Sequence, residues 1–127
     1  MPTNRPTTLD LLEAVMEFLE KKVMPKVPAH IAFHTRVAVN ALKIVQRETE
    51  LGPRLRDEEY QRLRGLLGME GNPDELNAEL CRRIRNKELD AVNLDLVAHL
   101  RQTTLARLSI DNPDYSAYKK EVSENPG

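Results

Sequence analysis

The chain reads as all-α, a single-domain antiparallel helical bundle of about five helices, and three observations say so. Apolar residues recur at three- and four-residue spacing through most of its length. No stretch alternates apolar and polar residues as a half-buried strand would. Leu, Ala, Glu and Arg dominate, which is a helix-forming composition. At 127 residues the chain fits one core, flanked by an N-terminal arm (1–6) and a C-terminal tail (119–127), with the bundle over 7–118.

The elements follow in order. Residues 1–6 carry two prolines and no periodicity. Thr7 and Asp10 form a capping-box pattern, the hydroxyl meeting an orphan amide and the carboxylate favoured at a helix N-terminus. Leu9, Leu12, Met16, Leu19 and Val23 then set a stripe that Leu11, Val15 and Phe18 broaden, and the helix should stop before Pro25. Pro28 opens the central helix, which the sequence carries to Leu51. Its apolar face holds Ile31, Val37, Ala38, Ala41, Leu42, Ile44 and Val45, with His34 near the middle.

Gly52-Pro53 reads as a stop and restart, with a third helix over 54–67 built on Leu55, Tyr60, Leu63, Leu66 and Leu67. Gly68 to Asn72 is a loop. Asn72, Pro73 and Glu75 give a cap, a first-turn proline and an acidic first turn to a fourth helix striped by Leu76, Leu80 and Ile84. Asn93 caps the last long helix, where Leu94, Val97, Ala98, Leu100, Leu105 and Leu108 share a face until Asn112-Pro113. In the stretch DYSAYKKEVSENPG that follows, Tyr115 and Tyr118 are placed to dock.

Composition excludes several function classes. Net charge is −1, so no basic footprint marks a nucleic-acid binder. Aromatics are 4 % with no Trp, which leaves little for base stacking. The lone Cys81 fits a reducing compartment and reads as a small apolar filler. The first residues lack the apolar core of a signal peptide, and no run nears the roughly eighteen apolar residues of a membrane span. A cytoplasmic protein with neither nucleic acid nor membrane as partner is expected.

The candidate sites are polar residues in unexpected places. His34, Arg101 and Thr104 stand on apolar faces of two long helices, with Asn40, toward the polar side of its helix, as a fourth member. A buried guanidinium needs carboxylate partners, and Glu17, Glu79 and Asp111 are candidates. Such a cluster is either a pocket for an anion or small molecule between central and last helices, or a network fixing helix register. Arg82, Arg83, Arg85 and Lys87 form the densest positive patch. They complement the end of their own helix, or they receive phosphate or an acidic partner. His30 and His34 are spaced to share a metal, but the sequence offers no third ligand, so no metal is assigned. No phosphate loop, dinucleotide fingerprint or nucleophile elbow occurs, so the sequence assigns no catalytic residue and no cofactor. Leu9, Leu12, Met16 and Leu19 would also suit a symmetric self-association stripe.

The segments LLEAVMEFLEKKVMP, AFHTRVAVNALKIVQRETELGP, LNAELCRRIRNKEL and HLRQTTLARLSIDNPDYSAY resemble, in that order, a small helical domain family of unknown function. The resemblance runs from about Thr7 to Tyr118. Its members are encoded beside aminoglycoside-phosphotransferase-like kinases, often in clusters with acyl-CoA dehydrogenases. It implies a non-catalytic accessory subunit of such a kinase, with a place in acyl-CoA metabolism, and supplies no catalytic residues.

Overall fold

The computed structural model describes residues 6–124. Five α-helices and no strand occur among them, so the chain is all-α as its periodicity requires. The expected arm lies outside the described residues except for Pro6, and so does the end of the tail after Glu124.

Thr7 starts α1 (Thr8–Phe18). Its hydroxyl accepts from the Asp10 amide at 3.1 Å and the Asp10 carboxylate accepts from the Thr7 amide at 3.0 Å, the reciprocal box expected from the sequence. A π-helical turn (Leu19–Val23) and a 3₁₀ turn (Met24–Lys26) follow. Pro25 explains them: it cannot donate to the Lys21 carbonyl and its ring crowds that carbonyl, so the ladder is already shifted when it arrives. The Met24 amide donates to the Leu19 carbonyl, one residue further back than in an α-helix. The Pro28 carbonyl then accepts the first bonds of α2 (Ala29–Leu67), from the Ile31 and Ala32 amides.

The expected stop at Gly52-Pro53 does not occur. α2 runs unbroken through both residues, merging the second and third predicted helices. Proline inside a helix costs about 3 kcal/mol, in part because its Cδ clashes with the Cβ of the preceding residue. Gly52 has no Cβ, which removes that clash, and the carbonyl left without a donor belongs to Thr49, an exposed residue open to water. The same glycine that suggested a helix end is what lets the helix pass through the proline.

Contacts divide the chain into two compact units at this point, Met1–Gly52 and Pro53–Gly127. In the first, Met16 of α1 and Thr35 and Val39 of α2 are buried, and the Thr35 hydroxyl is satisfied by the Ile31 carbonyl at 2.7 Å. In the second, Leu63 and Leu67 at the end of α2 meet Leu76 and Leu80 of α3 (Pro73–Arg85) and Leu96 of α4 (Leu94–Asp111). Tyr60, Leu66, Met69 and Leu89 surround this cluster, and the Tyr60 hydroxyl donates to the Gly71 carbonyl, fastening the loop before α3. Asn72 and Glu75 form a full capping box, and the Asn93 side chain caps α4 through the Leu96 amide. Past Asn112, residues Ser116–Glu124 form α5, so most of the predicted tail is helical.

The end of α3 is closed by a Schellman motif. Glu88 donates to the Arg83 carbonyl and Lys87 to the Ile84 carbonyl, which forces Lys87 to φ +61°. A lysine there bears the Cβ penalty of the left-handed region that glycine escapes. Lys87→Gly should therefore raise stability by about 1 kcal/mol in urea unfolding. A variant no more stable than the parent would contradict the assigned cap geometry.

Candidate functional site

Two surfaces and one buried cluster hold the chemistry. The first surface belongs to the first unit. On α1, Leu11, Val15 and Phe18 follow one another at helical spacing and are all exposed, Phe18 by 57 %. On the first half of α2, Ile31, Phe33, Val37 and Val45 are exposed as well, Phe33 by 58 %. The cause is an apolar arc wider than the packed stripe. The buried edge of α2 is Thr35 and Val39, with Leu42 and Gln46 half-buried, so most of the face read from the sequence is left open. His34 lies in that open arc, exposed, its ring edge-on to Phe33 at 5.5 Å between centroids. Asn40 and His30 are exposed on the same helix. No group of three or more metal-capable side chains gathers among the described residues.

The second surface is a groove of about 480 Å³ between α4 and α5. Val97, Leu100, Leu105 and Leu108 form one wall, and Ala117 and Tyr118 the other. Arg101 and Thr104 stand in it, as does Glu121, and Arg101 Nε donates to Glu121 Oε1 at 2.8 Å. The structure thus brings two of the four predicted cluster residues together in the second unit, while His34 and Asn40 belong to the first. Arg101 pairs with the carboxylate of Glu121, which was not among the partners expected. Glu79 is engaged elsewhere.

That engagement accounts for much of the positive patch. Glu79 accepts from both Arg82 and Arg83 at 2.7 Å, and Arg82 also reaches Glu88 at 2.9 Å. Hydrogen bonds from Arg82 and then Arg83 hold the Glu79 carboxyl down to about 2. The pairing therefore persists across the neutral and mildly acid range. Arg85 and Lys87 remain exposed at the helix end. Four formal cations reduce to a network that neutralises itself in part.

Sequence reasoning missed the third feature. His99 of α4 is only 4 % exposed. Arg62 Nε donates to its Nδ1 over a long 3.4 Å, and Arg62 Nη2 donates to the Thr103 hydroxyl at 3.2 Å. Burial pushes the imidazole below its ordinary value, the Arg62 cation adds to that, and Glu59 opposes it. A neutral ring with its proton on Nε2 is the form this contact selects. The signal in the sequence was the spacing Leu96, His99, Thr103 and Ile110, a second stripe on α4 that carries fewer leucines than the face first identified. The buried members are Leu96, His99 and Ile110, so the buried face of α4 was misplaced and the leucine-rich one lines the groove.

Among the described residues, open apolar rows, a shallow groove and partly self-neutralised charges are the surface features of this all-helical domain. The chain belongs to the DUF6285 family, described as a domain of unknown function, whose pattern matches residues 25–115. Similarity also extends to two glutamyl-tRNA reductases. One, from Pseudomonas putida (strain GB-1), is 42 % identical over 59 residues, 46 % of this chain and 13 % of that protein. The other, from Pseudomonas entomophila (strain L48), is 32 % identical over 89 residues, 70 % of this chain and 20 % of that protein. The chain spans a fifth or less of these curated relatives. No solved structure matches it. No helix among the described residues is long and apolar enough to cross a membrane.

Proposed function

We propose that this chain is a non-catalytic accessory domain that docks on an aminoglycoside-phosphotransferase-like kinase of the cytoplasm, in acyl-CoA metabolism. The observation that carries the docking is the set of open apolar rows in the first unit, Leu11, Val15 and Phe18 on α1 and Ile31, Phe33, Val37 and Val45 on α2. Two half-exposed phenylalanines contribute on the order of 100 Å² each. Five exposed aliphatic side chains on the same two helices add to that, and contiguous apolar surface of several hundred Å² is the scale that marks interaction sites. His30 and His34 set polar groups amid the apolar ones, the arrangement in which hydrogen bonds fix register while area provides affinity. The kinase as partner rests on the resemblance of the four segments. The reductase similarity covers too little of those proteins to bring their activity to this chain.

The experiment is capture of the tagged chain from cells that contain the kinase, a moderate salt wash, and mass spectrometry of what stays bound. The intact chain should retain the kinase at near-equal amounts. Phe18→Asp with Phe33→Asp should lose at least tenfold while keeping its helical circular dichroism, because both side chains are exposed and surface changes cost little stability. Recovery of the protein alone, with the kinase present in the lysate, would overturn the reading. Recovery only as a complex with further copies of itself would replace it with a homo-oligomer.

A further inference from the structure

We propose that the groove between α4 and α5 binds a medium-chain monocarboxylate, its carboxylate on Arg101 and its alkyl chain along the leucines. The inference does not depend on the docking surface, which lies in the other unit.

Three observations carry it. The groove, at about 480 Å³, falls in the range of small-molecule sites and is walled mainly by apolar side chains. Its charged groups are a single cation and a single carboxylate, Arg101 and Glu121, already joined at 2.8 Å. Glu121 therefore shows in the structure itself the chemistry that Arg101 accepts: a carboxylate oxygen at the guanidinium edge. Both partners are about a third exposed, so a second carboxylate can reach the guanidinium edge from solvent.

The geometry then selects the ligand. From Arg101 to Leu108, α4 rises about 10 Å. Over that length Leu105 and Leu108 face Ala117 and Tyr118, a strip suited to an alkyl chain of medium length. A dicarboxylate would place its second charge among leucines, and a cation would meet Arg101. A short anion such as acetate would gain the charge contact without the apolar one. Thr104, beside Arg101 in the groove, offers a hydroxyl to the second carboxylate oxygen.

The test is isothermal titration of the full chain with decanoate, octanoate and hexanoate below their micellar range, with amide and methyl shifts followed by nuclear magnetic resonance. Saturable one-to-one binding is expected, with affinity rising about two- to fourfold for each added methylene, the upper figure being about 0.8 kcal/mol for full burial. Glu121→Gln removes the competing carboxylate and should tighten decanoate binding severalfold. Arg101→Met should weaken it at least tenfold, and Arg101→Lys less. Shifts should centre on Leu105, Leu108 and Tyr118. Equal binding of decyltrimethylammonium, shifts centred in the first unit, or no saturable binding of decanoate would overturn the proposal. Should Arg101→Met fail to fold, Glu121→Gln decides: unchanged or weaker binding overturns it as well.

Discussion

Leu63→Ala should cost about 3–4 kcal/mol, a loss as large as any expected from a single truncation among the described residues. Leu63 is 0 % exposed and stands where the end of α2 meets Leu76 and Leu80 of α3 and Leu96 of α4. Removing its isobutyl end takes away the transfer energy of the lost carbons and leaves a cavity lined by side chains on three helices, which cannot all relax into it together. Small domains hold only about 5–15 kcal/mol in total, so the variant should unfold at much lower urea, by a molar or more. Leu94→Ala is the matched control. It deletes the same atoms from a residue 80 % exposed and should shift stability by less than about 0.5 kcal/mol. Similar losses for the two variants would mean that the leucine cluster is not the core of the second unit.

The features legible in the sequence are those decided locally. Thr7 with Asp10, Asn72 with Glu75, and Asn93 were all readable as helix starts, because a cap needs only a side chain and an amide three residues on. The end of α4 before Asn112-Pro113 was readable for the same reason. Gly52-Pro53 was not, since glycine ends a helix in one context and relieves proline in another, and the two residues look alike in both. The count of five helices survived only because two errors offset each other: the second and third predicted helices are one, and the tail supplies a fifth.

Faces were harder than helices. A wheel finds the apolar arc and says nothing of how much of it a neighbour covers. On α2 the arc is wide, the covered edge is Thr35 and Val39, and the centre with His34 faces outward. On α4 two stripes compete. The richer in leucine borders α5 and the groove, while the buried one contains a histidine and a threonine. The histidine was passed over because an imidazole at a core position has to be satisfied from another helix, and Arg62 lies 37 residues away in sequence. Arg101 and Thr104, each four residues from a groove-lining leucine on their own helix, needed no such distant partner to be noticed.

His99 should make the protein acid-sensitive in a window that a glutamine removes. Burial and then Arg62 lower its pKa in the folded chain below the ordinary 6.5, which the unfolded chain keeps. Between the folded and unfolded values the unfolded state therefore binds more protons, and stability rises with pH across that interval. The contribution is complete above the unfolded value and declines as pH falls below about 6.5 toward the folded value. Protonation also places a second cation 3.4 Å from Arg62 Nε and removes the lone pair that accepts its proton. His99→Gln keeps an amide oxygen near Nδ1 for Arg62 and cannot titrate. At pH 7.5 the exchange should cost about 1–2 kcal/mol through imperfect packing and a shifted hydrogen bond. Urea midpoints measured from pH 7.5 down to 5.5 should then converge, the parent losing stability while the variant holds nearly level. Glu59, which opposes the shift, should enlarge the parent's slope when replaced by glutamine, since its charge is what partly favours the imidazolium. Parallel profiles for parent and His99→Gln would show that the buried ring does not couple folding to protons.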